Sequence, residues 1–377
     1  MLSFSTVAVF VFMLALIGGI NVYLAFRVHQ CIRALVPQAS VGYAIAFFLL
    51  MAVVMIVGFA RSMIPMPAAL RNALGVVSAY WMGIFVYLLL YVVLAEAAYL
   101  VLRCFVSGTN LREWTVLAAV VLTITTSAYG IWHANDQRHV AYDVDISSEQ
   151  ETRLVLISDL HLGAVGSEKR LENIVQQINA QQPDVVCIAG DFFDNDFNAI
   201  RSPEKAVQTL KKLQATYGVY VCPGNHDGGA TVPQMLRFWE ECGIRLLADE
   251  YVVIDERIVL AGRRDPTPIG GFDGQRRASL DAVLADAPKG LPVIVMDHNP
   301  IGAASYGEGV SLVLAGHTHK GQIFPGSLIT NAMYDVDHGS WRKDDISPYV
   351  IVSSGVGTWG PPMRVGTDSE IVTVNLR

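Results

Sequence analysis

The first 137 residues contain no lysine, and charge there is confined to Arg27, Arg33, Arg61, Arg71, Glu96, Arg103, Arg112, Glu113 and Asp136. Nearly all the acid lies beyond them, so the 377-residue chain divides into a part suited to lipid and a part suited to water. A basic excess is missing too: 27 lysines and arginines face 34 aspartates and glutamates. Without a cationic footprint, the balance argues against binding to a nucleic-acid duplex. Thiols are few. The five cysteines form neither a CxxC pair nor a zinc-knuckle spacing, so they suggest no redox motif. Cys187 and Cys222 lie in apolar runs and read as small core residues.

The charge-poor part holds four apolar stretches, near 5–26, 40–60, 74–102 and 114–132. Each reaches the roughly 20 residues that a helix needs to cross a bilayer core, where only helices and closed barrels satisfy their own backbone. Residues 1–133 are therefore expected to form an all-α bundle of four transmembrane helices in the plasma (inner) membrane. The first stretch lacks a basic flank and a small-residue cleavage site, and reads as a retained helix. Glu96 lies toward the end of an overlong third stretch and reads as reaching the interface. Arg27, Arg33, Arg103 and Arg112 fall in the loops after the first and third helices, against Arg61, Arg71 and Arg138 on the other side. The excess of positive residues marks the cytoplasmic face, which puts the C-terminal domain outside the cytoplasm.

Residues 134–151 are polar, without helical periodicity, and read as a linker. Within 152–377, apolar runs at 153–157, 184–189, 218–222, 292–296 and 311–315 accompany helical patterns at 168–180 and 203–216. That alternation implies βαβ units and a largely parallel sheet, with a hairpin where 251–254 and 258–261 stand close together. Most of these runs end in a carboxylate, an amide or an imidazole. Open α/β sheets gather ligands at the carboxyl ends of their strands.

Five segments carry the chemistry: Asp159-Leu160-His161, Gly190-Asp191-Phe192-Phe193-Asp194, Gly224-Asn225-His226-Asp227, His298-Asn299-Pro300 and Gly316-His317-Thr318-His319. They offer oxygen and imidazole nitrogen but no thiolate, a set that suits Mn²⁺, Fe or Zn²⁺. The donors are too many for one ion and enough for two. In extended backbone, residues i and i+2 point the same way, so Asp159 with His161, and His317 with His319, are expected to face a shared site. The glycines before Asp191, Asn225 and His317 permit sharp turns off the strands. Any one segment alone reads as a turn or a structural pair; the ordered set of five does not.

The series resembles the signature of calcineurin-like metallophosphoesterases, in order, over most of 153–377. The resemblance implies an α/β four-layer αββα sandwich. It implies that Asp159, His161, Asp191 and His319 hold one divalent metal and that Asp191, Asn225, His298 and His317 hold a second, Asp191 bridging. It further implies that His226 sits over the substrate as a general acid and that Asp227 orients it. Asp194 is expected to hydrogen-bond near the site. The arginine of the Ser/Thr protein phosphatase branch is missing, since Asn195 and Asp196 follow Asp194. The segment from Ser353 to Arg364 resembles the end of a membrane-associated bacterial branch, where Arg364 would contact a substrate phosphate or else lie on the surface after Pro361-Pro362. The implied activity is hydrolysis of a phosphomonoester or phosphodiester by metal-activated hydroxide. The small-molecule or lipid substrate would be lipid-linked or part of the envelope. The alternative is a metal-binding membrane receptor or scaffold without turnover.

Overall fold

Four long apolar helices come first: α1 (Phe4–Leu35), α2 (Val41–Phe59), α3 (Ala68–Leu102) and α4 (Leu111–His133). The computed structural model describes residues 4–61, 64–106, 110–146, 150–165, 168–307 and 309–377. All four helices are long and apolar enough to cross a membrane. Leu24, Phe48, Trp81, Leu88 and Val92, with Ala119 of α4, form their common core. A Cβ on Gly58 would overlap Ser78, so α2 approaches α3 closely there, the small-residue contact typical of membrane helices. Glu96 is paired with Arg27 at 2.9 Å and with Arg112 at 3.2 Å. A lone carboxylate in lipid is costly; here two arginines from neighbouring helices compensate it.

The chain divides into two compact units, residues 1–130 with 360–362, and residues 131–359 with 363–377. The second begins with β1 (Gln137–Val144), β2 (Thr152–Ile157), α5 (Glu168–Ala180), β3 (Val185–Ala189), α6 (Pro203–Leu210), β4 (Val219–Cys222), α7 (Val232–Cys242) and β5 (Arg245–Leu246). It continues with β6 (Glu250–Ile254), β7 (Ile258–Gly262), α8 (Leu280–Val283), β8 (Val293–Met296), β9 (Leu312–Ala315), α9 (Gly326–Met333), β10 (Gly339–Arg342), β11 (Tyr349–Val352) and β12 (Ser369–Leu376). Two six-stranded sheets result, ordered β1-β12-β2-β3-β4-β5 and β10-β11-β9-β8-β7-β6. The β6–β7 hairpin is antiparallel, as expected, and β2–β3–β4 and β7–β8–β9 run parallel.

Alternation along the strands builds the layers. Val155 and Ile157 of β2 face α5, α6 and α7 in one core. Leu154 and Leu156 face the other way, into a core shared with Leu260, Ile294, Leu312 and Ile351 of the second sheet. Val259, Val295, Val313 and Val350 pack outward against Leu280, Leu284 and Ala303. Side chains two apart share a face, so each sheet buries both of its faces and the order is helix, sheet, sheet, helix. Cys187 and Cys222 are buried core residues.

The stretch expected as a linker, 134–151, contains β1, which pairs parallel to β12 from Gln137↔Ser369 to Val144↔Leu376. Its burial pattern is half exposed, that of an edge strand. Such a strand needs no apolar run, which is why composition does not reveal it.

Candidate metal centre

The site forms where the central strands end. β2 runs into Asp159 and His161, β3 into Asp191, β4 into Asn225, β8 into His298 and β9 into His317 and His319. All seven are brought together. Among the described residues, donors converge in three groups, the donor atoms of each lying within 4.8 Å of one another: Asp159, His161 and His319; Asp191, His298 and His317; and His161, Asp194 and His226. His161 Nε2 lies 3.1 Å from His319 Nε2, and His319 Nε2 lies 3.3 Å from Asp159 Oδ1. In the second group, Asp191 Oδ2 is 3.1 Å from His298 Nε2, and His317 Nδ1 is 2.8 Å from Asn225 Oδ1 and 3.2 Å from His298 Nε2. The same Asp191 oxygen lies 3.7 Å from His161 Nε2, between the two groups.

The backbone that aims these donors is not extended. Asp159, His161, Asp191, His317 and His319 have φ of 55°, 47°, 50°, 70° and 50°. Left-handed backbone at a non-glycine residue costs on the order of 1–3 kcal/mol and persists where surrounding contacts over-determine it. Here the contacts are visible. Asp159 N–H donates to Gly190 O at 3.0 Å, and His161 N–H to Asp191 O at 3.1 Å. His317 N–H donates to the Asp159 carboxylate at 3.1 Å. The i, i+2 expectation therefore fails in its geometry. Asp159 and His161 do share a group, whereas His317 and His319 fall in different ones. Of the three glycines, Gly190 has positive φ, at 78°. Gly224 and Gly316 serve close approach instead: a Cβ on them would strike Asp191 and Asp159 respectively.

The electrostatics of the site favour ligation. Burial pushes His161 down to about 3 and His317 down to about 4. Burial, reinforced by Arg364, holds His319 well below the usual range. All three imidazoles are thus neutral, the form that binds metals. His298 is the exception. Burial opposes its charge, but the Asp191 carboxylate outweighs burial and raises it well above the ordinary value. His298 Nδ1 donates to Ala189 O at 2.8 Å, which turns Nε2 toward the centre; that tautomer control is characteristic of metal-binding histidines. Buried oxygen and nitrogen acceptors converging with too few protons between them fit two divalent cations.

Two expectations are corrected. Asp227 does not touch the His226 ring. Fully buried, it accepts the backbone N–H of Phe193 at 2.9 Å, Phe192 at 3.3 Å and Gly224 at 2.8 Å, and so staples the loops after β3 and β4 together. Burial, with Asp191 nearby, pushes it up to about 7. The ring is held instead by Asn195, whose Oδ1 meets His226 Nδ1. Asp194 Oδ1 stands 4.0 Å from His161 Nδ1 and 3.9 Å from His226 Nδ1, between the two rings. Arg364 neither reaches a substrate phosphate nor lies on the surface. It is fully buried, and its guanidinium donates to the carbonyls of His319 (3.2 Å), Ser354 (2.6 Å), Gly355 (3.1 Å) and Gly357 (2.9 Å). It pins the His319 turn from behind. Sequence reasoning also passed over Asp265, a buried side chain that lines a cleft of about 310 Å³ beside Gly224 together with Phe272 and the exposed Arg276.

A family model described as Calcineurin-like phosphoesterase matches residues 152–321. An uncharacterized metallophosphoesterase of Aquifex aeolicus is 32% identical over 235 residues, covering 60% of this chain and 85% of the relative. One from Helicobacter pylori is 30% identical over 234 residues, 60% of each chain. A Danio rerio protein described as a transmembrane protein with metallophosphoesterase domain is 31% identical over 294 residues, 72% of this chain and 64% of that one. The chain thus spans less than two thirds of the length of the last two relatives. With five turns carrying oxygen and imidazole donors at the strand ends of a two-sheet sandwich, the chain belongs to the calcineurin-like metallophosphoesterase family.

Proposed function

We propose that the chain is a membrane-anchored two-metal hydrolase that cleaves a phosphate ester of a lipid-linked or envelope substrate, with residues 1–133 as anchor and the catalytic domain outside the cytoplasm. The carrying observation is the single Asp191 oxygen lying between two donor groups, 3.1 Å from His298 Nε2 and 3.7 Å from His161 Nε2. Asp159, His161 and His319 would hold one ion, Asn225, His298 and His317 the other, and Asp191 both. Mn²⁺ suits the donor set best, with Fe or Zn²⁺ as alternatives. When bound, two such ions polarise the phosphoryl oxygens and supply the water nucleophile at neutral pH.

The chain's own residues do the rest. His226 protonates the leaving alkoxide. Asn195 Oδ1 accepts from Nδ1 in this reading, so the proton that moves is the one on Nε2. Asp227 holds the two loops in register, and Arg364 holds the third. The cleft beside Gly224 gives a second substituent on phosphorus somewhere to lie, which favours a diester over a phosphoprotein. The test is hydrolysis of bis-p-nitrophenyl phosphate and p-nitrophenyl phosphate by the full chain with Mn²⁺, faster on the diester and abolished by chelator. No turnover on either, with two ions bound per chain, would sink the catalytic reading.

Ion loading should release a proton. His161, His317 and His319 are already neutral and Asp191 already ionised, so His298 is the group that must give one up. A group raised above its ordinary value stays protonated to higher pH. Apparent affinity for Mn²⁺ is therefore expected to rise about tenfold per pH unit up to that raised value and then flatten. Proton uptake on loading, measured in weakly buffered solution, would contradict this assignment.

A further inference from the structure

Helix α9 is folded the wrong way round for a helix on a water-facing domain. None of its residues is buried. Leu328, Ile329 and Met333 are 63%, 61% and 65% exposed. With the exposed Ala332 they occupy positions i, i+1, i+5 and i+4, a single stripe along one face. On the other side of the helix, Thr330 Oγ1 donates to Asp337 Oδ2 at 2.9 Å, while Asn331 is exposed. Phe324 and Trp359 add exposed aromatic surface at the same rim. Gln322 grips the Trp359 backbone in both directions at 2.8 Å. The patch adjoins the metal centre: the Trp359 ring lies 5.8 Å from that of His226, and Tyr334, next after α9, lies 6.2 Å from the His317 ring. A contiguous apolar patch of this kind marks an interaction surface.

The chain itself names the occupant. α4 ends at His133, and the second unit takes hold of the chain at that point. His133 Nε2 meets Asp368 Oδ1 at 2.8 Å, and Ala134 O accepts from Arg170 Nη2 at 2.9 Å and Ser369 Oγ at 3.1 Å. From Asp368 the backbone leads straight to the root of α9. Thr367 Oγ1 donates to Gln322 O at 2.8 Å, and Val365 O accepts from Phe324 N at 2.9 Å. Three residues span no more than about 10 Å. Within this unit, the root of the apolar stripe thus lies close to the residues by which the chain enters it, His133 and Ala134, and α9 carries no charged residue that would resist insertion.

We infer that α9 docks its outward face into the headgroup–acyl boundary of the bilayer, so that the metal centre opens beside lipid. The contact is hydrophobic, since α9 has no Lys or Arg, and requires no anionic lipid. The test needs no turnover, so its failure is separable from failure of the catalytic reading. Nitroxide is attached to the full chain at Ile329→Cys or Met333→Cys in a Cys104→Ser background, Cys104 being the exposed cysteine. The labelled chain is placed in phosphatidylcholine nanodiscs. Oxygen and nickel-chelate accessibilities are expected to place both labels about 5–10 Å into the boundary, with an aqueous control at Lys343→Cys. Labels as open to nickel as the control would overturn the inference. So would labels shielded from both reagents with spin–spin broadening, which would mean that a second copy covers the stripe.

Discussion

Asp191→Ala is expected to leave the chain without ions and without turnover together. Its Oδ2 lies between the two donor groups, and its Oδ1 accepts His226 N–H at 2.7 Å, so its loss also frees the loop that carries His226 and Asn225. Removing the carboxylate also leaves buried His298 without the partner that balances its charge. An uncompensated buried charge is worth several kcal/mol. Turnover should fall by more than the roughly 10²–10³-fold that a single transition-state donor contributes, and metal content by elemental analysis should drop from two ions per chain to less than one. A variant that keeps both ions and loses only rate would show that Asp191 is not shared. Asp191→Asn sharpens the comparison, because it keeps the shape and the neutral hydrogen bond while removing the charge.

The donor-bearing segments were legible in the sequence for a physical reason. Few residue types offer oxygen or imidazole nitrogen, and Asp159, Asp191, Asn225, His298 and His317 each follow a strand, where the structure gathers them. The sandwich was legible because its strands are apolar on both faces. What stayed hidden depends on partners far along the chain or on conformation. β1 pairs with β12 more than two hundred residues away and is half polar. The left-handed turns that aim Asp159 and His319 carry only a weak residue-type signal, because aspartate and histidine are enriched at positive φ but occur far more often elsewhere. Arg364 follows a Pro-Pro pair, a sequence that says surface, yet it is buried by four carbonyls supplied from two separate loops. Asn195 was noticed only as the absence of an arginine. In the structure its amide oxygen meets the His226 ring, a contact that depends on how the two loops fold together.

His226→Ala should slow turnover by about 10²–10⁴-fold, the usual span for a general acid, with both ions retained, since His226 belongs to neither main donor group. The size of the loss should depend on the leaving group. A p-nitrophenolate departs readily without a proton, whereas an alkoxide needs one, so the variant should lose far more rate on an alkyl diester than on bis-p-nitrophenyl phosphate. Asn195→Ala should reproduce that dependence in weaker form, because it leaves the imidazole in place but frees it to turn and to shift its proton between nitrogens. Asp227→Asn should behave differently from both. Its carboxylate acts on three backbone N–H groups and not on the ring, so its loss should loosen the two loops and lower metal content along with rate, without preference among leaving groups. An equal loss on aryl and alkyl esters in His226→Ala would remove the acid role, leaving His226 to act by stabilising charge on the phosphoryl oxygens.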